Sequence, residues 1–235
     1  MATLRTIKRR LLNHMRPRAR LSYSQSGEDM ITRFALGQMG VQKPFYIDVG
    51  AFHPYNLSNT AHFHGLGCRG INVEPNPVLF RAFPVERDRD VNLNVGVLDR
   101  PGEMDFYVMS PDTMSTFSRE HAQKLIAEYG FVIRETPKIK VRTLTQILEE
   151  HAGGAYPHFL SLDVEGFEQA ILGSIDFNVW SPLAICCETI SFSQTGQGEK
   201  NVAVIEFLKS RGYMVYADTY INTIFVLEKA WKRQK

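Results

Sequence analysis

The 235-residue chain is 44% hydrophobic, enough to bury the core of one large domain, and its three cysteines (Cys68, Cys186, Cys187) fit neither a disulfide framework nor a zinc site. Its formal charge of +2 hides an asymmetry: residues 1–20 hold seven basic side chains (Arg5, Lys8, Arg9, Arg10, Arg16, Arg18, Arg20) and no acidic one, so the body is net acidic. An acidic body argues against a nucleic-acid partner and confines any electrostatic anchoring to the tail.

No stretch is apolar enough to span a bilayer, and the basic start lacks an apolar signal-peptide core. A cytoplasmic protein is therefore expected, with a basic extension over residues 1–22 and a single domain over 23–235. In the extension Leu4, Ile7, Leu11, Leu12 and Met15 recur at roughly helical spacing. A surface helix at the inner face of the membrane and a solvated extension both fit that pattern.

In chain order, SQSGEDMITRFAL from Ser24 predicts a helix with Glu28 and Asp29 in its first turn. Residues 45–49 form a short apolar strand running into Gly50, followed by a loop and a helix over 58–65. Residues 70–74 repeat the strand, and a helix opens at NPVLFRAF. Residues 91–97 read as a third strand and 106–109 as an extended piece leading to SPDTMSTFS, where the alternation is interrupted. A helix is expected within 141–150, then a strand over 159–164, a helix over 167–172 and a strand over 183–188. A helix over 202–211 stops at Gly212, and strands 213–217 and 223–227 close the chain as a hairpin-like pair. The fold class is α/β, a doubly wound, mostly parallel sheet with helices on both faces.

Ligands of such sheets bind outside the carboxyl ends of the strands. Asp48, Glu74, Asp163 and Glu188 fall at four of those ends, although each alone is equally well explained as an acid capping the next helix. The first turn, DVGAFHP, has one glycine where a dinucleotide site has G-x-G-x-x-G, so a pyrophosphate would be poorly received. A carboxylate there suits a ligand with an ammonium group, hydroxyls and no phosphate, such as S-adenosylmethionine (SAM). Gly50 permits close backbone approach, and Glu74 can accept two hydrogen bonds from ribose hydroxyls.

The sequence resembles the FkbM family of SAM-dependent methyltransferases in SQSGED (24–29), FYIDVGAFHPYNLSNT (45–60), GINVEPNP (70–77), NLNVGV (92–97), STFS (115–118) and LSLDVEGFE (160–168). His53-Pro54 stands where many relatives have a second glycine, which points to a His-Pro branch. The resemblance implies a class I methyltransferase fold with a seven-stranded sheet, and O-methylation of a hydroxyl on a sugar, glycan, glycolipid or other small molecule. It places Asp48, Gly50 and Ala51 at the methionine and ribose end of SAM, Glu74 on the ribose, and Asn76 and Val95 around the adenine. Gln25 and Glu28 fold over the cofactor, or simply open the helix.

A sugar hydroxyl needs a base or a metal that lowers its pKa. Asp163 and Glu188 are candidate ligands for Mg²⁺ or another divalent cation, and Glu165 is a further catalytic candidate. The alternative base is His53, with His62 and His64 behind it, although histidines in such segments are often structural. Met109, Met114 and Phe117 in the interrupted region are candidates for an acceptor pocket or for plain packing. A nicotinamide-dependent oxidoreductase and a non-catalytic binding module are the competing functions, and a homo-oligomer is compatible with the sequence.

Overall fold

The computed structural model describes residues 20–191 and 198–233. The two states expected for the basic tail concern residues that lie almost wholly outside that range. Among the described residues no helix is long and apolar enough to cross a membrane.

Helix α1 (Glu28–Gln38) leads into strand β1 (Tyr46–Val49), helix α2 (Ala61–Gly65) and strand β2 (Gly70–Val73). Short helices α3 (Pro77–Phe80) and α4 (Phe83–Glu86) precede β3 (Val91–Leu93). An insertion follows, with β4 (Gly96–Val97), β5 (Gly102–Asp105), β6 (Val108–Ser110), α5 (Arg119–Tyr129), β7 (Val132–Glu135) and β8 (Lys138–Arg142). Alternation then resumes through α6 (Leu144–His151), β9 (Phe159–Leu162), α7 (Glu168–Gly173) and β10 (Ala184–Glu188). Helix α8 (Val202–Ser210), the hairpin β11 (Tyr213–Asp218) and β12 (Asn222–Leu227), and α9 (Glu228–Lys232) complete the chain.

The main sheet has seven strands in the order β11-β12-β10-β9-β1-β2-β3. Neighbours from β3 to β10 run parallel, and β12 is antiparallel to both β10 and β11. The order reverses at β1, which leaves a crevice at the carboxyl ends of β1 and β9. Alternate residues serve opposite faces. Ile47, Ile71 and Leu160 pack with Leu144, Ile171 and Leu208 on one side, while Tyr46 and Phe159 pack with Leu36 and Phe63 on the other. Cys187 and Cys186 divide between these two cores, as small buried residues on adjacent strand positions should.

Two elements differ from expectation for local reasons. The strand expected over 91–97 breaks because the Asn94 side chain donates to the carbonyls of Glu74 (2.8 Å) and Pro75 (3.1 Å), turning the chain out of the main sheet. The interrupted region is a small folded layer of a three-stranded sheet β4-β8-β5 and a pair β6-β7. Helix α5 belongs to it, capped by Ser118, which accepts from the His121 N–H, and ended by Gly130 in the left-handed region. Met109 is fully buried there in a cluster with Ala122 and Leu125, which removes it from any acceptor pocket.

Beneath the first crossover sits Arg87, fully buried. Its Nε donates to Asp90 (2.9 Å) and its Nη1 to the Pro54 carbonyl (2.9 Å). Its Nη2 donates to the Tyr46 hydroxyl (3.0 Å), the Thr60 hydroxyl (2.9 Å) and Asn72 Oδ1 (3.3 Å). Asp90 also accepts from the Tyr46 hydroxyl at 2.7 Å, and His64 Nδ1 lies 3.2 Å away. Burial alone would raise the Asp90 pKa, but His64, the Arg87 guanidinium and the Tyr46 hydroxyl together hold it at about 2.

Asp90→Asn leaves Arg87 buried without its counter-charge and is expected to cost about 3–5 kcal/mol in urea unfolding at pH 7. Since the folded pKa of about 2 lies below the ordinary 3.8, this stabilisation is complete above 3.8 and is lost as pH falls through 3.8 towards 2. The stability gap between wild type and variant should close across that window.

Candidate functional site

At the carboxyl edge of the sheet a cavity of about 490 Å³ opens between the ends of β1, β2, β9 and β10 on one side and the inserted layer on the other. Of the residues singled out from the sequence, Gln25, Gly50, Glu74, Asn76, Val95, Asp163, Glu165 and Glu188 line it, as do Met114 and Phe117.

Gly50 opens the floor. It has φ +77°, and a Cβ added there would lie 1.7 Å from the Asp163 carbonyl oxygen, so both the turn and the close approach of the β1 and β9 ends require glycine. The N–H groups of Gly50 and Ala51 both donate to the Val73 carbonyl at 3.0 Å. Glu74, at the end of β2, accepts from the N–H of Phe52 and of Asn76, each at 2.7 Å. Burial pushes its carboxyl up to about 8 against the pull of those two donors. Asn76 caps α3, accepting from the Val78 and Leu79 N–H groups.

On the opposite wall, Asp163, Glu165 and Glu188 each offer an oxygen within 4.8 Å of the others. The loop that carries the first two is held by Glu168, whose carboxylate accepts from the N–H of Val164 (3.1 Å) and Gly166 (3.1 Å). Thr116 of the inserted layer donates to the Glu165 carbonyl at 3.3 Å. Burial, then the charges of Glu168 and Asp48, push Asp163 up to about 7, and burial followed by repulsion from Asp163 lifts Glu165 and Glu188 well above the usual carboxylate range. Three crowded carboxyls cannot all ionise together, so the group retains protons near neutrality. Oxygen donors at this spacing also match the needs of a hard divalent cation, and Glu165 joins the Asp163 and Glu188 pair as a third donor.

Six residues expected at the cofactor or as bases are placed elsewhere. Asp48 lies under the floor, buried, accepting from the Thr60 hydroxyl at 2.6 Å. Burial raises its pKa, while the Thr60 hydroxyl and Arg87 favour its ionised form. Ala51 is buried behind Gly50 and does not line the cavity. Glu28 is fully buried, accepting from the Thr219 hydroxyl (2.7 Å), Asn222 Nδ2 (3.2 Å) and the Ser26 N–H (2.7 Å). It fastens the leading loop, which carries Gln25, to the turn between β11 and β12. His53 is outside the lining, and its Nδ1 accepts from the N–H groups of Tyr55 (3.1 Å) and Asn56 (3.0 Å), a turn-forming role. His62 and His64 pack around α2, away from the cavity.

The sequence reading missed Phe52, Leu57 and Tyr220 as wall residues. With Glu165 they are the non-glycine residues of positive φ (52°, 57°, 77° and 52° for Glu165) among the described residues, and all four line the cavity. Such backbone costs about 1–3 kcal/mol per residue and gathers where the surrounding structure enforces a binding geometry. None of the four is the Gly, Asn or Asp that would advertise this conformation in a sequence.

A doubly wound sheet in this strand order, with an acid-ended β2 and a cavity along its carboxyl edge, is the class I methyltransferase fold. The methyltransferase FkbM domain profile matches residues 48–215, and the chain belongs to that family. No curated protein sequence matches the chain. Among solved structures, the methyltransferase FkbM from Methylobacillus flagellatus KT aligns at TM-score 0.44 and 12% identity, over 78% of this chain and 43% of that one. This chain thus spans less than half the length of that protein. A TehB-like SAM-dependent methyltransferase from Corynebacterium glutamicum ATCC 13032 Kitasato aligns at TM-score 0.43 and 10% identity, over 95% and 97% of the two chains. The glycopeptide N-methyltransferase MtfA, complexed with S-adenosyl-L-homocysteine, aligns at TM-score 0.42 and 10% identity, over 97% and 99%.

Gly50→Ala should destabilise the fold by at least the ~1–3 kcal/mol of a strained backbone position, with the added clash against Asp163 increasing the loss. Urea unfolding checks this, and a variant of wild-type stability would show that β1 and β9 do not approach this closely.

Proposed function

We propose that the chain is a SAM-dependent O-methyltransferase whose acceptor is a hydroxyl of a sugar, glycan or glycolipid. The observation that carries this reading is the division of one cavity into two chemically different walls. Gly50, Glu74, Asn76 and Val95 make a glycine-floored, acid-ended nucleoside wall, and Asp163, Glu165 and Glu188 face it as a proton-accepting wall.

SAM held against Glu74 and the Gly50 turn would supply an electrophilic methyl group to the acceptor oxygen, with S-adenosylhomocysteine as the leaving group and the hydroxyl proton released to the protein. The protein's contribution is alignment and proton removal. Glu74 keeps lone pairs beyond those used by Phe52 and Asn76, so it accepts from ribose hydroxyls. The open turn at Gly50 brings backbone close to the reacting end. Asp163, which burial pushes up to about 7, takes the acceptor proton, while Glu165 and Glu188 beside it stand well above the usual carboxylate range. The same three residues would hold a divalent cation, which supplies Lewis acidity that lowers the pKa of the acceptor hydroxyl. Met114, Phe117 and Tyr220 give the acceptor side an apolar and aromatic surface of the kind sugar faces pack against.

In calorimetry, SAM and S-adenosylhomocysteine should bind and NADH should not. Glu74→Ala should weaken SAM roughly ten- to a hundredfold, the scale of two lost hydrogen bonds to the ribose. Glu165→Gln should leave SAM affinity within a few-fold while methyl transfer to a panel of sugar acceptors falls about 10²- to 10⁴-fold. Loss of that transfer on chelation, restored by Mg²⁺, assigns the cluster to a cation, and indifference to chelation assigns it to proton transfer alone. A folded wild type that binds NADH and not SAM contradicts the reading.

A further inference from the structure

We propose that Arg87, remote from the cavity, is a positioning residue for the cofactor: its guanidinium fixes the loop over residues 50–56 and the carboxylate of Asp48, and SAM affinity depends on it. The proposal rests on the SAM reading above.

The geometry runs in two branches. In the first, Nη1 donates to the Pro54 carbonyl at 2.9 Å. Pro54 follows Phe52 by two residues, and the Phe52 N–H is one of the two donors that orient Glu74. Phe52 sits at φ 52°, a conformation that has to be enforced, and the Pro54 contact anchors the chain just beyond it. In the second branch, Nη2 donates to Thr60 at 2.9 Å, and the Thr60 hydroxyl donates its own proton to Asp48 at 2.6 Å. Asp48 is followed by Val49 and Gly50, the start of the cavity floor. Guanidinium, hydroxyl and carboxylate thus form one directed relay beneath the turn.

The same fork also reaches Tyr46, Asn72 and Asp90, which belong to neither branch. Five acceptors on separate segments are met by one rigid plane. A lysine ammonium presents its donors from a single atom and cannot span them. Arg87→Lys therefore keeps the buried positive charge and loses the fork.

These two groups of partners allow affinity to be separated from stability. Tyr46→Phe removes a hydroxyl that serves Arg87 and Asp90, and leaves the contacts with Pro54 and Thr60 in place. Both variants are expected to lose stability. Only Arg87→Lys is expected to lose SAM affinity, by roughly ten- to a hundredfold, and to show a smaller rise in Tm on adding SAM. The test is calorimetric titration of SAM into the full chain as wild type, Arg87→Lys and Tyr46→Phe, with urea unfolding of each. Should Arg87→Lys fail to fold, Thr60→Val, which cuts the relay to Asp48 alone, takes its place with the same expectation. Unchanged affinity in the folded relay variant overturns the proposal, as does a loss of affinity in Tyr46→Phe that matches it. A folded wild type that binds no SAM removes the underlying reading and the proposal together, whereas wild-type binding with an unaffected relay variant removes the proposal alone.

Discussion

A guanidinium with no access to water must be surrounded by acceptors, and in this protein that requirement organises the first half of the sheet. Arg87 reaches β1 through Tyr46, β2 through Asn72, the loop after β1 through Pro54 and the approach to α2 through Thr60. Asp90 supplies the compensating charge at 2.9 Å. Removing either member would leave the other buried and uncompensated, a far larger loss than the pair's own net contribution. The crossover between β1 and β2 is therefore fixed by polar geometry as well as by apolar packing.

That rigidity has a purpose at the carboxyl edge. Gly50 passes so close to the Asp163 carbonyl that no side chain fits between them, and this approach brings the ends of β1 and β9 against one cavity. The inserted layer closes the other side through Phe117, Met114 and the Thr116 contact with Glu165. The walls are built at the expense of backbone strain at Phe52, Leu57, Glu165 and Tyr220. Among the described residues this strain falls in the lining of one cavity and not in the core strands, which marks a surface shaped for a ligand.

Much of this was legible in the sequence because it follows from local rules. Short apolar runs ending in Asp48, Glu74, Asp163 and Glu188 gave the parallel strands and their common edge, and the lone glycine of the first turn argued against a pyrophosphate. The rest depended on contacts between distant segments. Asp48 was read as a cofactor contact because of its place at a strand end, yet Thr60 and the Arg87 network draw its carboxylate down. Glu28 is expected over the cofactor or at the helix start, while its partners Thr219 and Asn222 lie at the other end of the chain. His53 was read as a base, while the turn it closes uses its Nδ1 as an acceptor. The inserted layer carried readable signals, Ser118 as a cap and Gly130 as a stop, that the broken alternation obscured. The positive-φ wall residues left no local signal at all.

The central claim is that one cavity holds the nucleoside against Glu74 and the reacting hydroxyl against Asp163, Glu165 and Glu188. A crystal structure of the protein grown with S-adenosylhomocysteine tests it most directly. The claim predicts the ribose hydroxyls within hydrogen-bond distance of the Glu74 carboxylate, with the sulfur turned towards the three carboxyls. A ribose bound away from Glu74, or a sulfur facing away from that cluster, would contradict it.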